Sequence, residues 1–91
     1  MNLNTIAALL SQPGLANTEI TNFCIDSRLV TPGSVYIALK GETFDGHDFV
    51  NQAEEKGALA VIVKQRLKGV NIPQLVVPDT LKAMTKIAAA H

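Results

Sequence analysis

The stretch SVYIALKGETFDGHDFVNQAEEKGALAVIV, residues 34–63, decides the fold. Its first six residues and its last six are almost continuously apolar and partly β-branched. Short apolar runs of this kind are typical of strands that are covered on both faces of a sheet. The stretch therefore predicts two buried strands, at residues 34–39 and 58–63.

The segment between these two strands has the pattern of a helix. Residues 47–56 form the helical pattern, and Gly57 follows it as a stop signal. The apolar side chains that share one side of this helix are Phe49, Val50 and Ala53. A strand, a helix and a second strand in this order predict a βαβ unit, which crosses over right-handed when its strands are parallel.

Outside this unit the sequence predicts a further helix and two further strands. Residues 4–11 form a short amphipathic helix with Asn2 or Asn4 as its N-cap. An alternating pattern that begins at Asn22 predicts one strand, and the apolar residues 74–77 predict another. We therefore expect one small α/β domain, with a βαβ unit in a mixed or mostly parallel sheet flanked by helices.

The last segment predicts a helix that runs from an N-cap at Asp79 to His91. The residues expected on its apolar face are Leu81, Met84, Ile87 and Ala88. No Gly, Asn or Pro follows this pattern, so the helix is still running where the sequence stops. We therefore expect the chain to be a piece of a longer protein.

The composition limits the classes of function. The 91 residues suffice for one compact domain, whose core must consist mainly of aliphatic residues because 47% of the chain is apolar and only 4% is aromatic. Eight basic residues balance eight acidic ones, and the basic stretch at residues 64–68 contains no aromatic residue, which argues against a nucleic-acid partner. The single cysteine, Cys24, cannot form a disulfide framework or a zinc site.

The sequence contains no targeting signal and no familiar catalytic motif. It has no signal-peptide pattern and no apolar run near the ~20 residues of a membrane span, so a cytoplasmic protein is expected. The motifs GxxxxGK(S/T), HExxH and GxSxG are also missing. Residues 1–91 are therefore not expected to hold ATP or a metal, or to turn over a substrate by themselves.

A first group of polar residues, Asp26, Ser27 and Arg28, follows the first predicted strand. Ligands of α/β proteins gather beyond strand ends, and an arginine fork with a serine hydroxyl suits phosphate oxygens. Asp26 can accept from a sugar hydroxyl or hold Arg28 in place. The alternative is structural, with Asp26 and Ser27 capping a turn and Arg28 at the surface.

A second group lies in the loop that connects the first strand of the βαβ unit to its helix. Its members are Lys40, Gly41, Phe44, Asp45, Gly46 and His47. The start of a helix attracts anions, Lys40 adds a charge, and His47 adds a donor. Phe44 offers a flat face to a base. The alternative is that Phe44 or Phe49 packs the helix onto the sheet, Asp45 caps the helix, and His47 is exposed.

The string DSRLVTPGSVYIALKGETFDGHDFVNQAEEKGALAVIV, residues 26–63, closely resembles the N-terminal domain of the bacterial Mur ligases, which build the peptidoglycan precursor. The likeness extends from the opening helix to the final one. It implies that residues 1–91 bind the UDP end of a UDP-N-acetylmuramoyl-peptide, and that a central ATPase domain and a C-terminal domain, its partners in the whole enzyme, are absent from this chain. It also implies that the whole enzyme uses ATP and Mg²⁺ to activate the substrate carboxylate as an acyl phosphate.

The resemblance further implies roles for the two polar groups. Ser27 and Arg28 are expected at the diphosphate or ribose, with Asp26 as their brace. The second group is expected to form an opposing wall at the uracil and the diphosphate. No catalytic residue and no metal ligand is expected in this chain.

The resemblance is strongest to the members that add D-alanyl-D-alanine to UDP-N-acetylmuramoyl-tripeptide, through ALKGETFDGHDF and PQLVVPDT. The members that add the third amino acid of the stem peptide are the nearest alternative. Two other classes stay open: a non-catalytic module that contacts a partner protein, and a small regulator that binds free UDP or another phosphate.

Overall fold

A computed structural model describes residues 1–90 of the chain and contains a four-stranded sheet. The strands are β1 (Asn22–Cys24), β2 (Ser34–Ile37), β3 (Ala60–Val63) and β4 (Gln74–Val76). They lie in the order β1-β2-β3-β4, and every neighbouring pair is parallel. The predicted α/β class, the βαβ unit and the mostly parallel sheet are confirmed.

The helices are α1 (Leu3–Leu9), α2 (Val50–Glu55) and α3 (Thr80–Ala90). Two 3₁₀ turns precede α2 in the chain, a first one at Ser27–Leu29 and a second one at Gly46–Phe49. No helix among residues 1–90 is long and apolar enough to cross a membrane.

The core has two layers because side chains alternate between the two faces of the sheet. One face packs against α1 and α3, with Val35, Ile37 and Ile62 contributing from the strands. The other face packs against α2, with Tyr36 and Val61 contributing from the strands. All four residues of β2 and all four of β3 are buried, as the continuous apolar runs predict.

The elements are shorter than the sequence patterns predict. The strands expected at residues 34–39, 58–63 and 74–77 end at Ile37, begin at Ala60 and end at Val76, where the register of paired residues ends. The first helix begins with the predicted cap, since the Asn2 side chain accepts from the Thr5 N–H at 2.8 Å. That helix ends at Leu9, before Ser11 adopts a positive φ of 57°.

The helix predicted at residues 47–56 is wrong in its first turn. The Asp48 N–H bonds to the Asp45 carbonyl, which is the spacing of a 3₁₀ turn. Phe49 then adopts φ −114° and ψ 10°, outside the α-helical range, so α2 begins only at Val50. The α2 start therefore does not supply the anion-binding helix end that the sequence suggests.

The apolar face of α3 also differs from the prediction. Its buried residues are Thr80, Ala83 and Ile87, with Met84 half-buried. Leu81 is 57% exposed and Ala88 is exposed, since the spacing of three and four residues from Thr80 selects a neighbouring stripe of the helix. His91, where the predicted helix ends, lies outside the described residues.

Candidate binding site at the carboxyl edge of the sheet

A cleft of about 790 Å³ opens at the edge where the parallel strands end. Three connections line it: the loop after β2, the residues after β3, and the residues that join β4 to α3. The lining residues are Leu39, Lys40, Gly41, Asp45, His47, Lys64, Gln65, Pro78, Asp79, Thr80 and Leu81. This is the edge at which open parallel sheets bind their ligands.

The loop of residues 40–46, called the binding loop below, is a tight turn on the end of β2. Lys40 and Asp45 pair as a short antiparallel bridge. Inside it, the Gly41 N–H donates to the Phe44 carbonyl at 2.7 Å, and the Gly46 N–H donates to the Leu39 carbonyl at 2.7 Å. The loop therefore has a defined shape set by its own backbone.

Gly46 allows the binding loop to lie directly on the strand end. A Cβ atom at this position would come within 2.8 Å of the Leu39 nitrogen and 2.9 Å of the Leu39 carbonyl oxygen. Both neighbours are backbone atoms that cannot move aside. The residue must therefore be glycine for this close approach.

Tyr36 supports the binding loop from the core. Its ring is fully buried, and its hydroxyl donates to the Gly46 carbonyl at 2.9 Å. Burial raises the pKa of Tyr36 to about 12, and the negative charges of Asp26 and Asp45 add to the rise. The phenol consequently stays protonated, and remains a donor, over the whole neutral range.

His47 uses both of its ring nitrogens inside the protein. Its Nδ1 lies 2.7 Å from Asp45 Oδ1, and its Nε2 accepts from the Lys64 N–H at 2.9 Å. The Nε2 atom must therefore be unprotonated, so Nδ1 carries the hydrogen and donates to Asp45. The side chain is only 13% exposed, which contradicts the alternative of an exposed histidine.

Asp45 caps the second 3₁₀ turn, whereas the structural alternative predicts that it caps the helix. Its Oδ1 accepts from the His47 N–H at 3.0 Å. This backbone hydrogen bond, the bond from the His47 ring and the nearby charge of Lys40 lower the pKa of Asp45 below its usual value. The carboxylate therefore stays ionised at neutral pH.

The charged side chains that line the cleft are two lysines, Lys40 and Lys64, and two carboxylates, Asp45 and Asp79. Lys40 and Lys64 are both exposed and line the cleft from the binding loop and from the end of β3. The start of α3 lines a third side, where the Asp79 side chain accepts from the Lys82 N–H at 3.1 Å. The N–H groups of Thr80 and Leu81, in the first turn of α3, have no acceptor within the helix.

Asp26, Ser27 and Arg28 lie at the first 3₁₀ turn, after the edge strand β1, and they do not line the cleft. Asp26 binds both the backbone N–H of Arg28, at 3.0 Å, and its guanidinium, at 3.1 and 2.8 Å. These hydrogen bonds and the charge of Arg28 lower the pKa of Asp26 to about 2. The bracing of Arg28 by Asp26 is the arrangement that the sequence suggests.

Ser27 differs from its neighbours in the triplet because it is buried. Its hydroxyl donates to Gln52 Oε1 on α2 at 2.7 Å. The first 3₁₀ turn is thereby attached to α2, and the serine proton is already in use. The Arg28 side chain, in contrast, is 78% exposed.

Phe44 and Phe49 stack on each other at the surface, with ring centroids 5.3 Å apart and planes inclined by 11°. Phe44 is 46% exposed and Phe49 is 38% exposed. The alternative that one of them packs α2 onto the sheet is therefore wrong. One face of Phe44 is covered by Phe49, and the rest of the ring is a flat apolar surface on the binding loop.

Seven of the cleft residues were not predicted as site residues from the sequence: Leu39, Lys64, Gln65, Pro78, Asp79, Thr80 and Leu81. Leu39 ends the strand predicted at residues 34–39, and the other six lie in the segments that follow the next two predicted strands. Because the carboxyl ends of parallel strands share an edge, the ends of the strands at residues 58–63 and 74–77 contained the necessary signal.

The residues described here do not form a metal site. No group of three or more His, Cys, Asp and Glu side chains within residues 1–90 is placed to hold a metal ion. Cys24 is a free, half-buried thiol.

A parallel sheet flanked by helices, with a polar cleft at its carboxyl edge, is the architecture of the α/β class of domains. The family model described as "Mur ligase family, catalytic domain" matches residues 19–91. The UDP-N-acetylmuramoyl-L-alanyl-D-glutamate–2,6-diaminopimelate ligase of Geobacillus thermodenitrificans is 44% identical over 99% of this chain and 19% of its own length. The UDP-N-acetylmuramoyl-tripeptide–D-alanyl-D-alanine ligase of Synechocystis sp. is 41% identical over 91% of this chain and 19% of its own length.

The fold agrees with these sequence matches. A crystal structure of MurF from Acinetobacter baumannii superposes with a TM-score of 0.87 at 33% identity, over 97% of this chain and 20% of that one. The chain therefore belongs to the Mur ligase family, and its fold is that of the N-terminal domain of these ligases. It spans about a fifth of the length of the relatives it matches.

Proposed function

We propose that this chain is the substrate-docking domain of a peptidoglycan-precursor ligase and binds the UDP end of a UDP-N-acetylmuramoyl-peptide. The observation that carries the proposal is the match along 99% of the chain, at 44% identity, to a ligase whose name specifies such a substrate. The polar cleft at the carboxyl edge supports it, because this edge is where α/β domains bind nucleotides.

The diphosphate lies, in this proposal, between Lys40 and Lys64. These two ammonium groups stand on two walls of the cleft, and the first turn of α3 adds backbone donors and the positive end of the helix dipole. The carboxylates of Asp45 and Asp79 are each committed to backbone N–H groups, at 3.0 and 3.1 Å. Their charge is partly offset by those donors, which reduces its repulsion of a phosphate.

The uracil and ribose lie on the other side of the binding loop. The binding loop follows β2, which lies between β1 and β3, so it separates the cleft from the first 3₁₀ turn. Phe44 presents its exposed ring to the base, and Arg28, whose Nε and Nη2 donate to Asp26, offers its remaining guanidinium N–H groups to the ribose or a phosphate oxygen. Ser27 contributes by fixing this turn to α2 rather than by donating to the ligand.

The resemblance expects ATP and Mg²⁺ in the whole enzyme, and residues 1–90 do not fit them. They lack the GxxxxGK(S/T) motif and a cluster of metal-ligating side chains. The carboxylate activation that ATP supplies therefore belongs to other parts of a longer ligase. The role proposed for this chain is to hold the nucleotide while the distant end of the substrate reacts.

The finer proposal is a ligase that adds D-alanyl-D-alanine to the tripeptide precursor. The MurF structure supports it through 33% identity over nearly the whole chain. The diaminopimelate-adding relative is 44% identical, so the ligase that adds the third residue stays the competing assignment. Both substrates carry the same UDP end, and the residues that bind it do not need to differ between the two enzymes.

Calorimetric titration of the 91-residue chain with UDP-N-acetylmuramoyl-tripeptide tests the proposal. We expect binding that weakens with added salt, because the contacts are charged. Lys40→Ala should weaken it about tenfold, the usual effect of losing a charged hydrogen bond. The matched control is Lys56→Ala, an exposed lysine after α2 at the opposite edge of the sheet, which should change affinity less than about twofold.

The outcomes separate the proposal from its alternatives. The proposal would be refuted if millimolar ligand produced no heat of binding and no chemical-shift change. Equal affinity for UDP and for the full precursor would favour a regulator that binds free nucleotide. An equal loss in the Lys40→Ala and Lys56→Ala variants would place the ligand outside the cleft.

A further inference from the structure

We infer that His47 is a positioning residue, which fixes the binding loop to the end of β3 and does not itself contact the ligand. The inference rests on the proposed function, because it concerns how the same cleft is held in shape. The sequence suggests the opposite role, a donor to phosphate. The hydrogen bonds of the ring carry the new assignment.

The first step is that no ring nitrogen is left for a ligand. Nδ1–H donates to Asp45 at 2.7 Å, and Nε2 accepts from the Lys64 N–H at 2.9 Å. A phosphate contact through Nε2 requires a hydrogen on that atom. That hydrogen would point at the Lys64 N–H, which is also a donor, so the phosphate contact and the existing bond exclude each other.

The second step is that these bonds connect two walls of the cleft. Asp45 belongs to the binding loop, where it pairs with Lys40. Lys64 is the first residue after β3. The imidazole therefore links Lys40, through Asp45, to the backbone from which the Lys64 side chain starts. The spacing of the two lysines across the cleft is set by this link.

The third step is that the His47 ring connects the binding loop to β3, whereas the other contacts of the loop are to β2. Tyr36 bonds the Gly46 carbonyl, and Gly46 lies against the Leu39 backbone. Both contacts join the binding loop to its own strand, β2. The bond from Lys64 is made to the neighbouring strand, so it resists a sideways displacement that the other contacts permit.

Two substitutions separate the two halves of the link. Glutamine places its carbonyl oxygen near the position of Nε2, so His47→Gln keeps an acceptor for the Lys64 N–H. Asparagine places its amide near the position of Nδ1, so His47→Asn keeps the donor to Asp45 and leaves Lys64 without an acceptor. We expect UDP-N-acetylmuramoyl-tripeptide to bind His47→Gln within about twofold of the unchanged chain and His47→Asn about threefold to tenfold more weakly.

The double variant with Lys40→Ala tests whether His47 acts through the binding loop and its Lys40. The loss caused by His47→Asn should shrink in the Lys40→Ala background, because the lysine on the loop that His47 holds is gone. Exchange of the Lys64 amide hydrogen should accelerate in His47→Asn and stay slow in His47→Gln. Equal losses of affinity in both variants, or additive losses with Lys40→Ala, would overturn the inference.

A measurement on the unchanged His47 covers the case in which a variant does not fold. Nitrogen-15 spectra of the imidazole, with His91→Gln to leave one ring signal, should show the Nδ1–H form before and after addition of UDP-N-acetylmuramoyl-tripeptide. A hydrogen on Nε2 in the bound state would show that the ring contacts the ligand. Saturable chemical-shift changes in the other signals of the chain, on addition of the same ligand, would show that it binds and so test the proposed function separately.

Discussion

Tyr36 connects the core to the binding loop through a single hydrogen bond. The ring is buried in the layer that faces α2, and the hydroxyl reaches the carbonyl of the buried Gly46 at 2.9 Å. Removing the hydroxyl leaves this carbonyl without its donor while the ring still fills its space. The contribution of the hydrogen bond to stability can therefore be measured separately from that of ring packing.

We predict that Tyr36→Phe destabilises the chain by about 1–3 kcal/mol at pH 7, the cost of an unsatisfied buried acceptor. The folded pKa of about 12 exceeds the ordinary value of 10, so the tyrosine contribution is complete below pH 10 and is lost as the pH rises toward 12. Guanidinium unfolding of both proteins between pH 8 and 12 measures it. The difference between them should narrow above pH 10, and a constant difference contradicts the prediction.

At the scale of single residues, the sequence predicted which polar residues matter better than it predicted their hydrogen-bond partners. The polar character of Asp26, Ser27 and Arg28 was predictable, and so was the brace between the first and the last of them. The burial of Ser27 was not, because its partner Gln52 lies 25 positions away on α2. The same limit applies to His47, whose Nε2 partner is a backbone N–H 17 positions away.

Among the elements that line the cleft, α3 is the one whose start the sequence predicts best. Asp79 caps the helix through the Lys82 N–H, as its position before the apolar stripe predicts. Thr80 and Leu81 follow it into the cleft. The cap therefore determines both where α3 begins and which backbone groups it presents.

Loss of this cap should destabilise the chain measurably. We predict that Asp79→Ala costs about 0.5–2 kcal/mol, whereas Asp79→Asn, which keeps a side-chain acceptor, costs less than about 0.5 kcal/mol. Thermal unfolding by circular dichroism should show a decrease of about 4–8 °C for each kcal/mol. An asparagine variant as unstable as the alanine variant would mean that Asp79 acts through its charge.

The second 3₁₀ turn shows why the element boundaries were less predictable. The pattern of Phe49, Val50 and Ala53 fits a helix from residue 47, and the tertiary structure breaks it at Phe49. Stacking on Phe44 and the cap from Asp45 favour a tighter turn there. Both contacts depend on the preceding loop, which a helical pattern does not contain.

The molecule as a whole depends on both layers of its core. Ile62 is fully buried between the sheet and the layer of α1 and α3, while Ile25 is 49% exposed. We predict that Ile62→Ala costs about 2–5 kcal/mol and leaves a cavity. Ile25→Ala is the matched control and should cost less than about 1 kcal/mol. Guanidinium unfolding measures both, and equal losses would contradict the assignment of the core.

The class of the fold followed from two continuous apolar runs separated by a helical pattern, since such runs require cover on both faces. The assembly of the cleft did not follow as easily. It needs the parallel direction of the strands, which puts Lys40, Lys64 and Thr80 at one edge, and the strand order, which makes them neighbours there. The predicted opposition of Arg28 and Lys40 stays a prediction, since Arg28 follows the edge strand β1 and does not line the cleft.

The simple order of the strands has a consequence for how the chain acquires its structure. Each strand pairs only with the next strand along the chain, through register pairs such as Asn22 with Ser34, Val35 with Ala60, and Val61 with Gln74. Each strand pair closes only the connection between two consecutive strands, so the entropy cost of loop closure is divided into three small steps. A ribosome that delivers these residues in order delivers each strand to a partner that is already present.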